Sequence, residues 1–412
     1  MKKILCSAQS FGYGPVSKLV TLVKLISSLE GSDVEVDFVG DSIALIYVQQ
    51  NKNLFNKITS FSGTYPDLQS YDLVISVMEP HLAIWSSLNN KKTFYVDSLF
   101  WFWSWDNEHL NLIENSLKNN TNSSTINKWK HLTSFDDHHL QYIAHKLSDY
   151  SLTQTFINVA KKEDSFREKI GSKEIGAIID TTLKRKNLKR NKIIVSLSGL
   201  LSPLNKIENA IKYSELVLTL LGGFIRQLPE DIEIILTTNP LVASQIKVTN
   251  DRIKIKSLSH DELLNLLNES ILLFAPVGIT TLYESLLYDV PIIFLPEQHD
   301  GHFSNYSRLM GDSLSLNELR KIFPEMLFNT RINRKANNNP DQEIGEIQSL
   351  INNFDKENAL VEDMKKVLKK VDQAIKDENV REKLLSSQQK TVLTYTSIFT
   401  KEKCREIFGQ IS

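Results

Sequence analysis

The chain alternates between two hydrophobic periods. Short runs rich in Val, Ile and Phe lie at Ile4–Ala8, Val34–Val39, Lys57–Phe61, Leu73–Val77 and Thr93–Val96. Each is ended by Gly, Asp, Pro or Ser, and each reads as a buried strand. Between the first two, apolar residues at Val16, Leu19, Val20, Leu22, Val23, Leu25 and Ile26 recur at helical spacing and predict a helix over Val16–Leu29. Strand, helix, strand in this rhythm predicts a parallel sheet covered by helices on both faces. The stretch Asn107–Tyr150 predicts mostly helix, and weaker strands follow at Ser151–Phe156 and Glu174–Ile179.

A polar basic run, Leu183–Asn191, then reads as a solvated linker and places a domain boundary near residues 185–190. A second cycle of strands follows at Lys192–Leu197, Ile232–Thr237, Ile253–Ile255, Ile271–Phe274 and Ile292–Leu295. Helices are expected at Ile207–Leu221, ended by Gly222 and Gly223, and at Ser259–Glu269, where Ser259 caps the first turn and Glu262 completes a capping box. The Asn-rich stretch Asn333–Gln342 reads as an exposed loop. Helices alone follow, at Glu343–Asn353, Glu357–Asp377 and Val380–Gln410. The expected architecture is α/β with two Rossmann-like domains, 1–188 and 189–332. A helical tail, 333–412, is expected to pack partly back on the first domain.

The 412 residues carry 48 Lys plus Arg against 49 Asp plus Glu, a balance that argues against a general nucleic-acid binder. Two cysteines, Cys6 and Cys404, make no disulfide framework, so a reducing cytoplasm is the expected compartment. The opening Lys2-Lys3 and its short apolar run, stopped by Gln9, Ser10 and Gly12, read as a first strand rather than a leader. No stretch reaches the roughly 18–20 apolar residues that span a bilayer. Asp136, Asp137, His138 and His139 are of metal-ligating type, but adjacent helical residues do not share a face. Asp136 therefore reads as a helix cap, and neither a metal nor a resident cofactor is expected.

Open parallel sheets bind ligands beyond the carboxyl ends of their strands. The turn Ser198-Gly199, after the first strand of the second cycle, is a candidate phosphate cradle, because small residues there let backbone N–H groups approach an anion. More informative is 274–308, FAPVGITTLYESLLYDVPIIFLPEQHDGHFSNYSR. Gly278, Ile279, Thr280 and Thr281 form a strand-to-helix turn, Glu284 sits one turn in, and Pro291 is expected to stop the helix. Glu297, Gln298 and His299 follow the next strand. Hydroxyls and N–H groups at a helix start suit a diphosphate. Carboxylates and an amide suit sugar hydroxyls, since one carboxylate accepts from both hydroxyls of a diol.

With Gly278, Thr281, Glu284, Pro291, Pro296, Gln298 and His299 in place, the segment resembles the GT-B glycosyltransferase superfamily, and most closely the pattern of the MurG-like N-acetylglucosaminyltransferases. The match is tight over about 25 residues and loose over the remainder. The resemblance implies a nucleotide sugar, UDP-linked in the first instance, held by the second domain. Glu284 would hold the ribose and Gly278–Thr281 the diphosphate, with Ser198 and Gly199 completing the cradle. Glu297 and Gln298 would face the transferred sugar, and Leu258 and Ser259 would meet the base. It also implies an inverting, metal-independent transfer.

The first domain would then bind the acceptor, beginning with its glycine turn at Gly12, Tyr13 and Gly14. The MurG-like family carries a histidine in that turn, which this chain lacks; Asp97, Glu79 and His81 are the alternative candidates for general base. Trp101, Trp103 and Trp105 form a cluster that reads either as a packed or membrane-touching surface, a dimer patch included, or as a wall against which a flat acceptor stacks. FGYGPVSKL and YVDSLFWFW further resemble the cytosylglucuronate synthases of nucleoside-antibiotic pathways. That resemblance implies UDP-glucuronate as donor, a free pyrimidine such as cytosine as acceptor, and acceptor roles for Lys18, Ser98, Trp101 and Trp103, with Lys18 or Arg308 as a cation for the glucuronate carboxylate. Two other readings are a UDP-N-acetylglucosamine 2-epimerase, which needs no acceptor, and a non-catalytic nucleotide-sugar sensor.

Overall fold

The computed structural model describes the chain except at positions 11, 31–32, 104, 106, 120–123, 157–160, 187, 198–204, 248–249, 299, 310–339, 355–357, 395 and 410–412. Two units emerge: Met1–Ile179 with Thr396–Ser412, and Asp180–Tyr395.

The first unit is built on seven strands: β1 (Lys2–Ala8), β2 (Val34–Gly40), β3 (Lys57–Ser60), β4 (Leu73–Val77), β5 (Thr93–Asp97), β6 (Tyr150–Gln154) and β7 (Lys173–Ile175). All pair in parallel in the order β3-β2-β1-β4-β5-β6-β7. Alternate residues face opposite layers, as the pleat requires. Ile4, Cys6, Val36, Phe38, Ile75 and Val77 pack with Val16, Leu19, Val20 and Val23 of the helix Tyr13–Glu30. Leu5, Val39 and Val74 pack on the other face with Leu82 of the helix Pro80–Leu88. Burial on both faces explains why these strands read as continuous apolar runs rather than alternating ones. No described helix is long and apolar enough to cross a membrane.

The second unit carries β8 (Lys192–Leu197), β9 (Glu233–Thr238), β10 (Ile253–Lys256), β11 (Ser270–Ala275) and β12 (Ile292–Phe294), parallel in the order β10-β9-β8-β11-β12. Its core joins Ile193, Val195 and Leu197 to Tyr213, Val217 and Leu220, and continues into Ile347, Ile351, Met364 and Leu368 of the later helices.

Several sequence expectations are corrected. The boundary falls after Ile179, not near 188. The basic run is no free linker: Lys184 pairs with Asp289 at 2.7 Å, the Arg185 N–H donates to Asn268 Oδ1 at 2.8 Å, and Arg190 donates to the Tyr288 and Asp289 carbonyls. Gly222 and Gly223 lie inside one helix, Ile207–Ile225, because the apolar stripe continues through Phe224 and Ile225. The helix before β12 ends at Leu287, four residues short of Pro291, where Asp289 turns to φ +58°. Val380–Gln410 is not one helix but two, Glu378–Leu393 and Lys401–Phe408. Between them Ser397–Phe399 returns to the first unit: Ala177 N–H donates to Ser397 O (2.7 Å) and Phe399 N–H to Ala177 O (2.9 Å). Gly176 permits this approach, since a Cβ there would collide with the Ser397 carbonyl. Of the expected loop Asn333–Gln342, residues up to 339 lie outside the described residues, and a helix starts at Pro340.

β12 is an edge strand, and Gln388 closes part of its edge. Its Oε1 accepts from Ile292 N–H at 3.0 Å and its Nε2 donates to Ile292 O at 2.7 Å, with Gln388 fully buried. Gln388→Leu would leave two buried backbone groups unpaired, at about 1–3 kcal/mol each. Denaturant unfolding is expected to show a loss of roughly 2–6 kcal/mol; a loss under about 0.5 kcal/mol would show that Ile292 finds other partners.

Candidate functional site

In the second unit, β11 and β12 are adjacent parallel strands, so the segments leaving their carboxyl ends share one edge. Gly278 is the N-cap of the helix Ile279–Leu287, which holds Thr280, Thr281 and Glu284. Gly278 has φ −91°, open to any residue, and an added Cβ would meet no described residue closer than 3.7 Å. Among the described residues, neither backbone conformation nor packing demands glycine here. Asn305 steadies the turn by donating from Nδ2 to the Val277 carbonyl at 2.7 Å.

Glu284 is 3% exposed. Its Oε1 accepts from His260 Nε2 at 2.6 Å, and His260 is equally buried. A carboxylate at this depth needs a donor to offset its lost hydration. His260 is the first residue of the helix His260–Asn268, whose capping box between Ser259 and Glu262 is present as the sequence indicated. That box fixes the helix start, and the helix start aims the imidazole. Leu258 and Ser259, just before it, are half-buried.

After β12, Tyr213 donates to the Pro296 carbonyl at 2.5 Å, and the Gln298 N–H donates to His302 Nδ1 at 3.3 Å. Both carboxylate oxygens of Glu297 are sealed from solvent. Gln298 keeps 6% exposure. Ser198, Gly199 and His299 lie outside the described residues, as does the side chain of Arg308.

In the first unit, the three candidate bases separate. Asp97 is 0% exposed. Its Oδ1 accepts from Leu99 N–H at 2.7 Å; its Oδ2 accepts from Trp103 Nε1 at 2.7 Å and from His145 Nε2 at 3.0 Å. His145 Nδ1 in turn meets Ser151 Oγ at 2.7 Å, with the ring held edge-on between Tyr95 and Phe100. Asp97 is thus a buried anchor, not a base within reach of a substrate. Ser98 is also buried and points its hydroxyl at Met78 Sδ, 3.0 Å away, so it is no surface contact for an acceptor. Lys18 is 3% exposed, with Nζ 3.4 Å from the Gly14 carbonyl, so it too is enclosed.

Glu79 and His81, by contrast, stand together just beyond the carboxyl end of β4 and are open. His81 Nδ1 lies 3.2 Å from Glu79 Oε1, with side-chain exposures of 39% and 20%. The Glu79 carboxylate also caps the helix through His81 N–H and accepts from Tyr65 OH at 3.3 Å. Met78, immediately before, takes φ +57°, which turns the chain sharply off the strand. The hydrogen bond to Glu79 raises the His81 pKa above its ordinary value, against a smaller opposing effect of burial. Trp129 Nε1 donates to the His81 carbonyl at 3.2 Å, and its ring meets Tyr65 edge-on. Tyr65 and Trp129 are therefore aromatic neighbours of this dyad that sequence reading did not single out.

The tryptophan cluster is mainly packed. Trp105 is core and donates to the His138 carbonyl. Trp103 is tied to Asp97, and half-buried Trp101 sits 5.3 Å from Phe156. In the glycine turn, Gly12 takes φ +81°, Ser10 Oγ donates to Asp41 Oδ1 at 2.7 Å, and Tyr13 and Gly14 open the first helix half-buried. Asp136 caps its helix by accepting from His139 N–H, and no metal-type cluster of three or more ligands forms among the described residues.

No family model and no curated protein sequence matches the chain. Solved structures do. Over its whole length it is similar to S. aureus MnaA in complex with UDP, at 13% identity, 97% coverage of that chain and a TM-score of 0.50. It is similar to a putative UDP-N-acetylglucosamine 2-epimerase from Listeria monocytogenes at 11% identity, 100% coverage of this chain, 97% of that one and a TM-score of 0.51. The glycosyltransferase SnogD from Streptomyces nogalater overlaps less well, with a TM-score of 0.46 at 12% identity, covering 100% and 99% of the two chains. These likenesses show the fold alone: two parallel-sheet α/β units of the GT-B fold.

Asp97→Ala would strip a buried set of donors of its acceptor and is expected to cost about 3–5 kcal/mol in denaturant unfolding. His81→Ala, at a half-exposed site, is expected to cost under about 1 kcal/mol. The opposite order would show that Asp97, not His81, is the free group.

Proposed function

We propose that the protein is a glycosyltransferase that moves a sugar from a nucleotide diphosphate carrier, UDP in the first instance, to a small acceptor. The observation that carries this reading is the pairing of a buried, histidine-held Glu284 with a helix N-cap, Gly278, that the fold itself does not require to be glycine. A phosphate approaching the backbone would require it. On this reading the N–H groups of Ile279, Thr280 and Thr281, with the helix dipole, bear the charge of the leaving diphosphate. Glu284 accepts from the ribose hydroxyls, Leu258 and Ser259 border the base, and Gln298 meets the sugar.

His81 is the proposed general base. With its Nδ1 proton donated to Glu79, the neutral ring keeps its Nε2 lone pair for the acceptor. Inversion follows if the deprotonated acceptor attacks opposite the leaving diphosphate. A flat acceptor such as a pyrimidine fits the aromatic neighbours Tyr65 and Trp129, in keeping with the likeness to cytosylglucuronate synthases; UDP-glucuronate is the donor to try first.

The second reading is a nucleotide-sugar epimerase, favoured by the similarity to the Listeria monocytogenes structure. Product formation from UDP-N-acetylglucosamine without an acceptor would support it; a strict acceptor requirement would remove it.

Three outcomes are expected. Glu284→Ala weakens UDP binding by about 1–3 kcal/mol in calorimetric titration; unchanged affinity removes the donor-site assignment. His81→Ala abolishes turnover with UDP affinity intact. The acid limb of kcat/KM reports His81: activity rises with pH as the ring loses its proton, at a pH above that of an ordinary histidine. Glu79→Gln removes the carboxylate that favours the protonated ring, so the limb moves to lower pH while kcat falls. A limb that stays in place means that another group titrates.

A further inference from the structure

We infer that His260 is a positioning residue for ribose recognition: by donating from Nε2 to Glu284 Oε1 it fixes the carboxylate that discriminates a ribonucleotide from a deoxyribonucleotide. The inference rests on the nucleotide-site reading above and adds to it a residue, a proton position and a selectivity.

The geometry supports this in three ways. First, the contact is short, 2.6 Å, and both side chains are almost wholly buried, at 5% and 4% side-chain exposure. A short, dry hydrogen bond to a carboxylate is of the strong, charge-assisted kind and holds both side chains in one rotamer. Second, the bond engages only one carboxylate oxygen, Oε1, so the group retains acceptor capacity at Oε2 for hydroxyl donors. Third, His260 occupies the first position of its helix, beside the positive end of the helix dipole. A carboxylate oxygen only accepts, so the bond to Oε1 places a proton on Nε2. The helix start is itself locked by the reciprocal Ser259–Glu262 bonds, with Ser259 N–H to Glu262 Oε2 at 2.7 Å.

The two residues come from different helices, 24 positions apart, each beginning beyond the carboxyl end of a strand. Neither helix needs this bond to form. What the bond does is remove the freedom of a glutamate side chain before any ligand arrives. A glutamate that must be ordered during binding costs affinity; one already ordered does not. The benefit falls only on ligands that present hydroxyls to the carboxylate. Loss of His260 should therefore weaken a ribonucleotide more than its 2′-deoxy counterpart, which keeps only the 3′-hydroxyl.

The test is calorimetric titration of the full chain with UDP and with 2′-deoxy-UDP. The variants are His260→Met, which fills the space without a donor, and His260→Gln, whose Nε2 restores an N–H near the original place. The wild type is expected to prefer UDP over 2′-deoxy-UDP by about tenfold, the size of one lost charge-assisted hydrogen bond. His260→Met should lose most of that preference by weakening UDP more than 2′-deoxy-UDP, and His260→Gln should recover it. If His260→Met weakens both nucleotides equally, or neither, while the wild type keeps its preference, the positioning role is overturned and the nucleotide reading stands. If the wild type binds UDP and 2′-deoxy-UDP alike, the ribose assignment of Glu284 falls, and this inference with it. Should His260→Met fail to fold, His260→Leu takes its place: selectivity lost there and kept in His260→Gln supports the role of the Nε2 proton, and selectivity kept in both overturns it.

Discussion

A carboxylate withdrawn from water must be given a donor, and the second unit is organised around one such exchange. Glu284 lies on a helix that begins immediately after β11, and His260 on a helix that begins immediately after β10. Their hydrogen bond joins two strand-to-helix turns that the sheet alone would leave as independent loops. The parallel ladder directs both turns to the same edge, and the bond sets their spacing. Every role assigned to this edge, at Gly278, Thr280, Thr281 and Gln298, presupposes turns that keep a fixed separation.

The first unit shows how burial alone divides chemically similar groups between different tasks. Asp97 with His145, and Glu79 with His81, are both carboxylate–imidazole pairs at about 3 Å, at the carboxyl ends of neighbouring strands. The first is sealed, saturated by Trp103 and Leu99, and continued to Ser151. Its function is to hold the tryptophan segment against the sheet. The second is open on one side, with His81 39% and Glu79 20% exposed. A sealed pair contributes order, whereas an accessible pair can exchange a proton with a bound molecule.

Much of the fold was legible because the strands are buried on both faces, so that composition and length mark them. The Ser259–Glu262 box and the Gly278–Glu284 segment were legible for a similar reason: the residues that mark each lie within six positions of one another. The misreadings share a physical origin. Gly222–Gly223 read as a stop because glycine has weak helical propensity, yet Phe224 and Ile225 continue a stripe whose burial outweighs it. Val380–Gln410 read as one helix because its polarity does not show where Ser397–Phe399 leaves to pair with Ala177. In the site, His260, Tyr65 and Trp129 escaped notice because each acts on a residue far away in sequence. Asp97 and Glu79 could not be ranked, since exposure is a tertiary property.

The return of Ser397–Phe399 to Ala177, through the space left by Gly176, makes the second unit an insertion within the first. Emerging from the ribosome, residues 180–395 can complete their own sheet while the earlier unit still lacks its closing segment. Phe408, which stacks on Phe94, is synthesised more than three hundred residues after its partner. The half that appears first is thus the last to mature, and the nascent chain must keep the Phe94 side of its older sheet from aggregating until the final helix arrives.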